Sequence, residues 1–384
     1  MGYQKFLGKL RKRIEDIVRG YRFLRRQIYQ HLALSKRAKI YQPTVLICAH
    51  SLMKNGGIEK RVNQYVGVWK KRQYRILFGA REGNGPIDIF FSSYRWYNML
   101  LLYRLKQVCN VQMVEFNVGG EEQPFFYFTL LHRLDIHIGV ILHASFDSWK
   151  YDYLKEADYV ICSHAAHGKR VACLAKYPVL PNAVKKKEPS WQFCGQKKAL
   201  LVSRLGEDKR PSIEAFITLC LKWHMPFQIA GDFSEQGGRK LKFDLQRQFN
   251  LDEKIFLGYI NTEEFLQKYW KRFLFVGGIG QVILEAGQLG YPCLLTSLLG
   301  EQQSFWVTQN NIGDVINYNC SPHSVAESAL LKQNQNLEDC FQDISSGKTS
   351  LYSISSFINE NCSLEANIVK YDLITRSKRK TVGS

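Results

Sequence analysis

The sequence predicts a two-domain α/β protein in which each domain is a doubly wound parallel sheet. At 384 residues the chain is longer than one hydrophobic core usually organises. Short apolar runs alternate with helical patterns, and one polar segment interrupts this alternation before it resumes. Near-continuous apolar runs are typical of parallel strands that are covered on both faces of a sheet. With 45% hydrophobic and 23% charged residues, the composition is that of a folded chain.

The first half is predicted to contain six strands separated in places by helices, for example Ile58–Lys71. The apolar runs are Thr44–His50, Arg75–Ala80, Asp88–Ser93, Val111–Asn117, Ile138–Ser145 and Tyr159–Ser163. We interpret residues 41–184 as a first Rossmann-like domain.

A polar, Lys-rich segment at 185–198 is interpreted as a linker, after which the alternation restarts. The second set of runs is Ala199–Leu205, Phe227–Asp232, Lys254–Ile260, Phe273–Gly278, Pro292–Ser297 and Gly313–Tyr318. Residues 199–355 are predicted to form a second Rossmann-like domain, and 356–384 a C-terminal helix and basic tail. Ligands bind at the carboxyl ends of such strands, so both domains are expected to face a cleft between them.

The net charge of +19 is concentrated at the two ends of the chain. Residues 1–40 hold 12 Lys and Arg against 2 acidic residues, and residues 375–384 hold 4 and none. No apolar run reaches the roughly 20 residues of a membrane span, and the start lacks the apolar core of a signal peptide. The ten cysteines form no C-x-x-C pair, so we interpret them as reduced thiols of a cytoplasmic protein, and no metal site is predicted.

Residues 1–40 carry an apolar stripe at helical spacing with basic residues mostly away from it. The stripe consists of Leu10, Ile14, Ile17, Tyr21, Leu24 and Ile28. A basic amphipathic helix is typical of a segment that lies on an anionic membrane surface. A helix docked on the protein itself and a coiled-coil contact remain alternatives. Nucleic acid is not expected as a partner, because no nucleic-acid-binding module is recognisable.

Three loops carry residues suited to phosphate or sugar chemistry. Gly56 and Gly57 follow the first strand and lead into a helix, where backbone N–H groups can bind an anion; a plain tight turn is the alternative. Arg204 and Lys209 follow the first strand of the second half and could clamp a diphosphate, or form a solvated basic loop.

The third loop is glycine-rich and leads into a short helix that contains Glu285. The run Phe275-Val-Gly-Gly-Ile-Gly-Gln-Val-Ile-Leu-Glu285 is followed by Gly290 and Pro292. A carboxylate in an otherwise apolar helix needs a partner if it is buried. The vicinal hydroxyls of a ribose would provide one, and a structural hydrogen bond is the alternative.

In this order, the Gly-Gly loop, R-x4-K loop and GxGxxxxEA-x3-G-x-P run resemble the GT-B retaining glycosyltransferases of family 4, the group 1 type. Smaller similarities are Ala157–Ser163, Pro181–Val184 and Phe256–Tyr259. The resemblance covers roughly residues 44 to 375 and implies the GT-B fold with two Rossmann-like domains. The basic helical extension at residues 1–40 precedes the part that it covers.

The resemblance implies a role for each matching residue. Gly56 and Gly57 would lie against a donor diphosphate, and Arg204 and Lys209 would neutralise it as it leaves, without a metal ion. Ile279 and Gly280 would lie near the nucleotide sugar, and Glu285 would accept hydrogen bonds from the ribose. His143, at a strand end in the first half, would face the reaction centre.

One departure from the family pattern concerns the position eight residues before Glu285. The family has an acidic residue there, forming an E-x7-E pair, whereas this chain has Gly277. Arg210 also stands where the family usually has glycine. The resemblance is therefore to a divergent member of the family.

The resemblance implies a metal-independent glycosyltransferase that moves a sugar, with retention, from a nucleotide-sugar donor to a saccharide acceptor carried on a lipid. A UDP-sugar is the commonest donor, and no bound cofactor is expected. Assembly of bacterial surface polysaccharide or lipopolysaccharide is the expected setting, at the inner face of the cytoplasmic membrane. The alternatives are a non-catalytic saccharide-binding relative and a GT-B sugar-nucleotide epimerase.

Overall fold

The computed structural model describes most of the chain after residue 40. The described residues are 41–52, 57–83, 85, 87–92, 94–118, 126–143, 151–165, 167–168, 171–233, 236–298, 303–320 and 336–376. The predicted amphipathic segment 1–40, the loop residue Gly56 and the basic tail after Arg376 lie outside them.

The chain forms two compact units. The first comprises residues up to Ile161 together with Tyr371 onward, and the second comprises Cys162–Lys370. The polar segment 185–198 belongs to the second unit, and within it Trp191 is buried and donates to the Phe273 carbonyl at 3.0 Å.

The described residues of the first unit form a six-stranded sheet and three helices. Its strands are β1 (Thr44–Leu52), β2 (Arg75–Gly83), β3 (Ile89–Phe90), β4 (Val111–Val118), β5 (His137–Leu142) and β6 (Tyr159–Cys162). Its helices are α1 (Gly57–Lys71), α2 (Arg95–Cys109) and α3 (Phe128–Arg133), with a 3-10 turn at Asp152–Glu156. The strand order is β3-β2-β1-β4-β5-β6, the order of a dinucleotide-binding doubly wound sheet.

The second unit repeats this order, with its last strand reversed. Its strands are β7 (Ala199–Val202), β8 (Phe227–Ala230), β9 (Phe256–Gly258), β10 (Phe275–Gly278), β11 (Cys293–Leu295) and β12 (Phe305–Val307). The order is β12-β11-β10-β7-β8-β9, and β12 runs antiparallel to β11. The reversed edge strand was not predicted from the sequence.

Helices and short 3-10 turns connect and cover these strands. The helices are α4 (Arg210–Lys222), α5 (Gln236–Phe249), α6 (Thr262–Lys268), α7 (Gln281–Gln288), α8 (Ile312–Asn317), α9 (Leu337–Ser345), α10 (Ser355–Asn361) and α11 (Leu364–Arg376). The 3-10 turns are Ala172–Leu174, Glu207–Lys209, Glu253–Ile255 and Ser350–Tyr352. The chain passes from the second unit to the first within α11, between Lys370 and Tyr371.

The prediction of two doubly wound units is confirmed, but one predicted strand is wrong. The run Gly313–Tyr318 lies almost entirely in helix α8. Ile312, Val315 and Ile316 are its buried residues, and this spacing of three and one matches one face of a helix rather than alternate residues of a strand.

Candidate functional site

The loop after β7 brings the two predicted cations, Arg204 and Lys209, to one carboxylate. Nη2 of Arg204 hydrogen-bonds to Oδ2 of Asp208, and Nζ of Lys209 lies 3.7 Å from the same oxygen. Arg204 is 67% exposed and Lys209 27% exposed. Exposed ion pairs contribute little to stability, so both cations can turn toward a more highly charged anion. Asp208 therefore holds the two cations of this loop close together, and neither is buried.

Arg210 fixes this loop to the two helices that follow it. Its guanidinium hydrogen-bonds to Glu207 at 2.7 Å and to Asp244 of α5 at 2.8 Å, and it lies 3.6 Å from Glu214. The hydrogen bond that Arg210 donates to Glu207 lowers the pKa of Glu207, and donation to Glu207 and Asp244 raises the pKa of Arg210. Arg210, which stands where the resembled family usually has glycine, thus holds the loop in place.

The glycine-rich turn after β10 begins beside the loop that carries Arg204 and Lys209, which we call the cation loop. β7 and β10 are parallel neighbours, with Val202 opposite Gly278 at their carboxyl ends. A Cβ atom on Gly278 would lie only 2.9 Å from the Val202 carbonyl oxygen, so a larger residue would push the two strand ends apart. The predicted donor-binding loops therefore leave the same edge of one sheet side by side.

Gly280 gives this turn its shape and its open space. Its φ of 71° is a conformation that glycine adopts without strain, and its N–H donates to the Cys320 carbonyl at 2.8 Å. A Cβ atom there would meet no atom of the described residues within 4 Å. Ile279 lies between this residue and the strand end, so the sequence-predicted pair occupies the turn between β10 and α7.

Gly277 lies inside β10 and is packed against the core, not at the loop. A Cβ atom on it would be 2.5 Å from Cδ2 of Phe216, a fully buried ring of α4. No carboxylate side chain fits there without displacing that ring. The first acidic residue of the E-x7-E pattern is therefore incompatible with the packing of the second unit.

Glu285 lies in α7 and is 2% exposed. The helix begins directly after Gly280, and its first residue, Gln281, donates to the Ala183 carbonyl at 2.8 Å. Nearby, the Asn182 amide donates to Asn319 at 2.7 Å. The sequence-predicted Pro181–Val184 run thus braces the start of α7, a role that the residue types alone did not indicate.

In the first unit, His143 lies at the carboxyl end of β5 and contacts Asn117 of β4. The two side chains meet at 2.9 Å between Nε2 and Oδ1, and the His143 backbone N–H donates to the Val118 carbonyl at 2.8 Å. Asn117 is 2% exposed. Gly57 is the first residue of α1, as the pattern predicted. Asn117 was not among the predicted site residues, although a polar residue at the end of an apolar strand was a usable signal.

Beneath this edge, the first unit buries a carboxylate. Glu115 of β4 accepts hydrogen bonds from the hydroxyls of Tyr159, at 2.6 Å, and Tyr371. Burial raises the pKa of Glu115 above its ordinary 4.5, and the hydrogen bonds and the nearby Arg61 charge oppose that rise. Trp69 donates to the Tyr371 hydroxyl at 3.0 Å and extends the network. Glu115 was visible in the sequence as a charge inside an apolar run, but its partners were not.

The described part of the chain contains neither a cluster of metal ligands nor a membrane-spanning helix. Within it, no three His, Cys, Asp or Glu side chains are grouped as a metal site would require. No described helix is both long and apolar enough to cross a bilayer. A cavity of about 490 Å³ lies in the first unit near Met113, His137 and Tyr159. These are residues at the amino ends of parallel strands, so the cavity lies at the sheet edge opposite His143.

The sequence matches no family model, and it matches none of the curated proteins significantly. Three solved structures with a similar fold share 11–13% sequence identity with it. HepE of Anabaena, in complex with UDP and glucose, has a TM-score of 0.53 at 13% identity and covers 86% of this chain and 99% of its own. A glycosyltransferase from Rickettsia africae has a TM-score of 0.50 at 12% identity, covering 88% and 100%.

A third similar structure is an alpha-glucosyltransferase in complex with UDP and a 13-mer DNA. Its TM-score is 0.50 at 11% identity, and the alignment covers 87% of this chain and 100% of that one. At these identities the likeness concerns the fold. With the strand orders above, it confirms that the chain has the two-domain α/β architecture of the GT-B glycosyltransferase fold.

Proposed function

We propose that this protein is a glycosyltransferase that moves a sugar, with retention and without a metal ion, from a nucleotide-sugar donor to a saccharide acceptor. The observation that carries the proposal is the meeting of Arg204 and Lys209 at Asp208, on the sheet edge where the Gly280 turn also emerges. A departing nucleoside diphosphate needs fixed positive charge where its own charge develops. The exposed Arg204 and the half-buried Lys209 provide that charge beside a turn with open space.

The remaining residues take the parts that the resemblance implies. Gly56 and Gly57 approach the diphosphate, Ile279 and Gly280 line the donor, and Glu285 accepts hydrogen bonds from the ribose. For His143 the proposed role is at the donor sugar. UDP is the nucleotide we propose, since two solved structures of similar fold are complexes with UDP.

The acceptor we propose is a saccharide carried on a lipid, which fits surface polysaccharide or lipopolysaccharide assembly. Residues 1–40, with 12 basic and 2 acidic residues, would then hold the enzyme on the inner face of an anionic membrane. Replacing Arg11, Arg19 and Arg22 by Gln in the full chain should weaken binding to anionic vesicles, and unchanged binding would contradict this part alone.

The first test of the donor site is a thermal shift with UDP, GDP and ADP. A ligand at 100 times its Kd adds about 2.7 kcal/mol to the free energy of unfolding. We expect stabilisation by UDP in the wild type and its loss in Arg204→Ala. Arg376→Ala is the matched control, since Arg376 pairs with Asp372 four residues earlier and is 64% exposed.

The second test is sugar transfer or donor hydrolysis by the same variants. Removing one fixed charge that stabilises the leaving group should lower turnover by about 10² to 10³-fold. Arg376→Ala should retain wild-type turnover. No stabilisation by any of the three nucleotides, or equal turnover in Arg204→Ala, would contradict the proposal.

A nucleotide-sugar-binding protein without turnover is the second candidate. Gly277 favours it, because the packing of Phe216 leaves no room for the carboxylate that the family places there. UDP binding without measurable transfer or hydrolysis, in the wild type, would support this candidate over the first.

A further inference from the structure

The outer face of helix α2 carries large apolar side chains that the fold leaves in solvent. Trp96, Leu100 and Tyr103 recur four and three residues apart, so they lie on one face of the helix. They are 67%, 65% and 48% exposed, and Tyr94 before the helix is 75% exposed. Tyr127 packs beside Trp96 with ring centroids 5.1 Å apart, which widens the aromatic surface. We call Tyr94, Trp96, Leu100 and Tyr103 the outer face of α2.

This face is not a by-product of ordinary surface composition. Four of the 13 exposed large hydrophobic residues of the described chain fall within these ten positions. The opposite face of α2 packs into the core of the first unit. Its buried residues are Asn98, Met99, Leu101, Leu102, Leu105 and Cys109. A helix that is apolar on both faces is expected to be covered on both, whereas a surface helix is usually polar outside.

The charge around the outer face is positive. Between Asp88 and Glu115 the sequence has no acidic residue, while α2 carries Arg95 and Arg104 and also Lys106, whose ammonium donates to the Leu134 and Asp135 carbonyls. Arg104 is exposed next to Tyr103, and the Arg95 guanidinium lies 5.4 Å from the Tyr127 ring centroid. The occupant of this face is therefore expected to be anionic as well as apolar.

We propose that the outer face of α2 lies on an anionic lipid surface. Trp and Tyr side chains favour the boundary between headgroups and acyl chains, Leu100 can enter the apolar side, and the basic residues attract anionic headgroups. A second copy of the same face would oppose like charges, and so would the basic segment 1–40 of the same chain. Neither fits as well as a lipid surface.

This inference goes beyond the proposed function and does not depend on it. It also rests on residues other than those of segment 1–40, so either contact can fail without the other. Together they would give two membrane contacts, one from the N-terminal segment and one from the first unit.

The test is co-sedimentation of the full chain with vesicles of phosphatidylglycerol and phosphatidylcholine, compared with phosphatidylcholine alone. The variant Trp96→Gln/Leu100→Gln/Tyr103→Gln should bind the anionic vesicles at least tenfold more weakly than the wild type. The matched control is Leu221→Gln/Phe243→Gln/Tyr259→Gln, whose side chains are 47%, 63% and 61% exposed in the second unit. It should bind as the wild type does.

A second readout places the contact at one residue. Four tryptophans, Trp69, Trp191, Trp223 and Trp306, are buried. Lipids brominated on the acyl chains should quench wild-type fluorescence, and Trp96→Phe should lose most of that quenching while still binding. Equal binding by the triple variant and the wild type would overturn the proposal. So would a wild-type dimer that the triple variant converts to monomer with unchanged vesicle binding, because the face would then join two copies.

Discussion

The two units share one strand order but differ in what they bury beneath their sheets. The first unit buries Glu115 and Arg61 among tyrosines and a tryptophan. The second buries a cluster of aromatic rings, in which Trp223 stacks on Phe341 at 4.5 Å and Trp306 meets Phe275 edge-on at 4.9 Å. One sheet order therefore accommodates a buried carboxylate bonded to tyrosines in the first unit and a stacked tryptophan cluster in the second. The stability of the two units should respond differently to pH and to truncation.

The largest effect is expected in the aromatic cluster of the second unit. Trp306 is fully buried, and its removal leaves a cavity between Trp223 and Phe275. Trp306→Ala should lower the free energy of unfolding by about 3–5 kcal/mol in urea titrations. Phe243→Ala, at a side chain 63% exposed, should change it by less than about 0.5 kcal/mol. A loss at Trp306 no larger than at Phe243 would show that the cluster is not a packed core.

The next effect tests whether the second unit excludes a side chain at Gly277. Gly277→Ala places a Cβ atom 2.5 Å from the Phe216 ring, and the overpacking should cost about 1–3 kcal/mol. Gly67→Ala is the control, because Gly67 lies exposed in α1 with nothing within 4 Å of its Cβ position. That variant should gain about 0.5–1 kcal/mol, as alanine does over glycine in a helix. If both variants were stabilised, the position would have room, and the missing carboxylate would need another explanation.

The difference between the units also explains what the sequence could predict. Strands such as β1 and β4 were predictable because a parallel sheet demands apolar runs. The place of Arg204 and Lys209 after a strand was predictable for the same reason, while their role in binding stays a prediction. The three-residue strand β12 is too short for a periodic signal. The partners of Glu115 are not readable, since Tyr371 lies 256 residues away along the chain. The contact of Asp208 with both cations was equally unpredictable, because the spacing of the residues does not show that one carboxylate pairs with both.

The buried carboxylate of the first unit should make stability depend on pH. The raised pKa of Glu115 means that, above its ordinary 4.5, the unfolded chain releases a proton that the folded chain retains. Its contribution to stability is therefore complete below 4.5 and declines as the pH rises toward the folded value. The slope is at most about 1.4 kcal/mol per pH unit.

Glu115→Gln should remove this slope while keeping a side chain that can accept from the two tyrosines. Urea midpoints of wild type and variant, measured between pH 4 and 8, should diverge in favour of the variant as the pH rises. Glu360→Gln, at an exposed glutamate, is the control and should follow the wild type. Parallel curves for Glu115→Gln and wild type would mean that the first unit buries an ordinary carboxylate.

The smallest effect separates two reasons for glycine at position 280. Its φ of 71° penalises any Cβ atom, so Gly280→Ala should cost about 1 kcal/mol from backbone strain alone. Among the described residues no atom lies within 4 Å of that Cβ position, unlike at Gly277, so they add no packing cost. A loss of unfolding free energy near this value would confirm that the turn needs glycine for its backbone. A loss as large as that of Gly277→Ala would contradict the open space at this Cβ position.

The same variant then tests whether a ligand uses that space. If the donor lies against the turn, the added methyl group meets the ligand instead of the protein, and the stabilisation by UDP should shrink relative to wild type. Gly67→Ala should keep the full UDP shift. Gly280→Ala could be about 1 kcal/mol less stable and still be stabilised by UDP as much as the wild type is. That result would mean that the glycine has only a backbone role. The donor would then have to be placed by the cation loop without the turn.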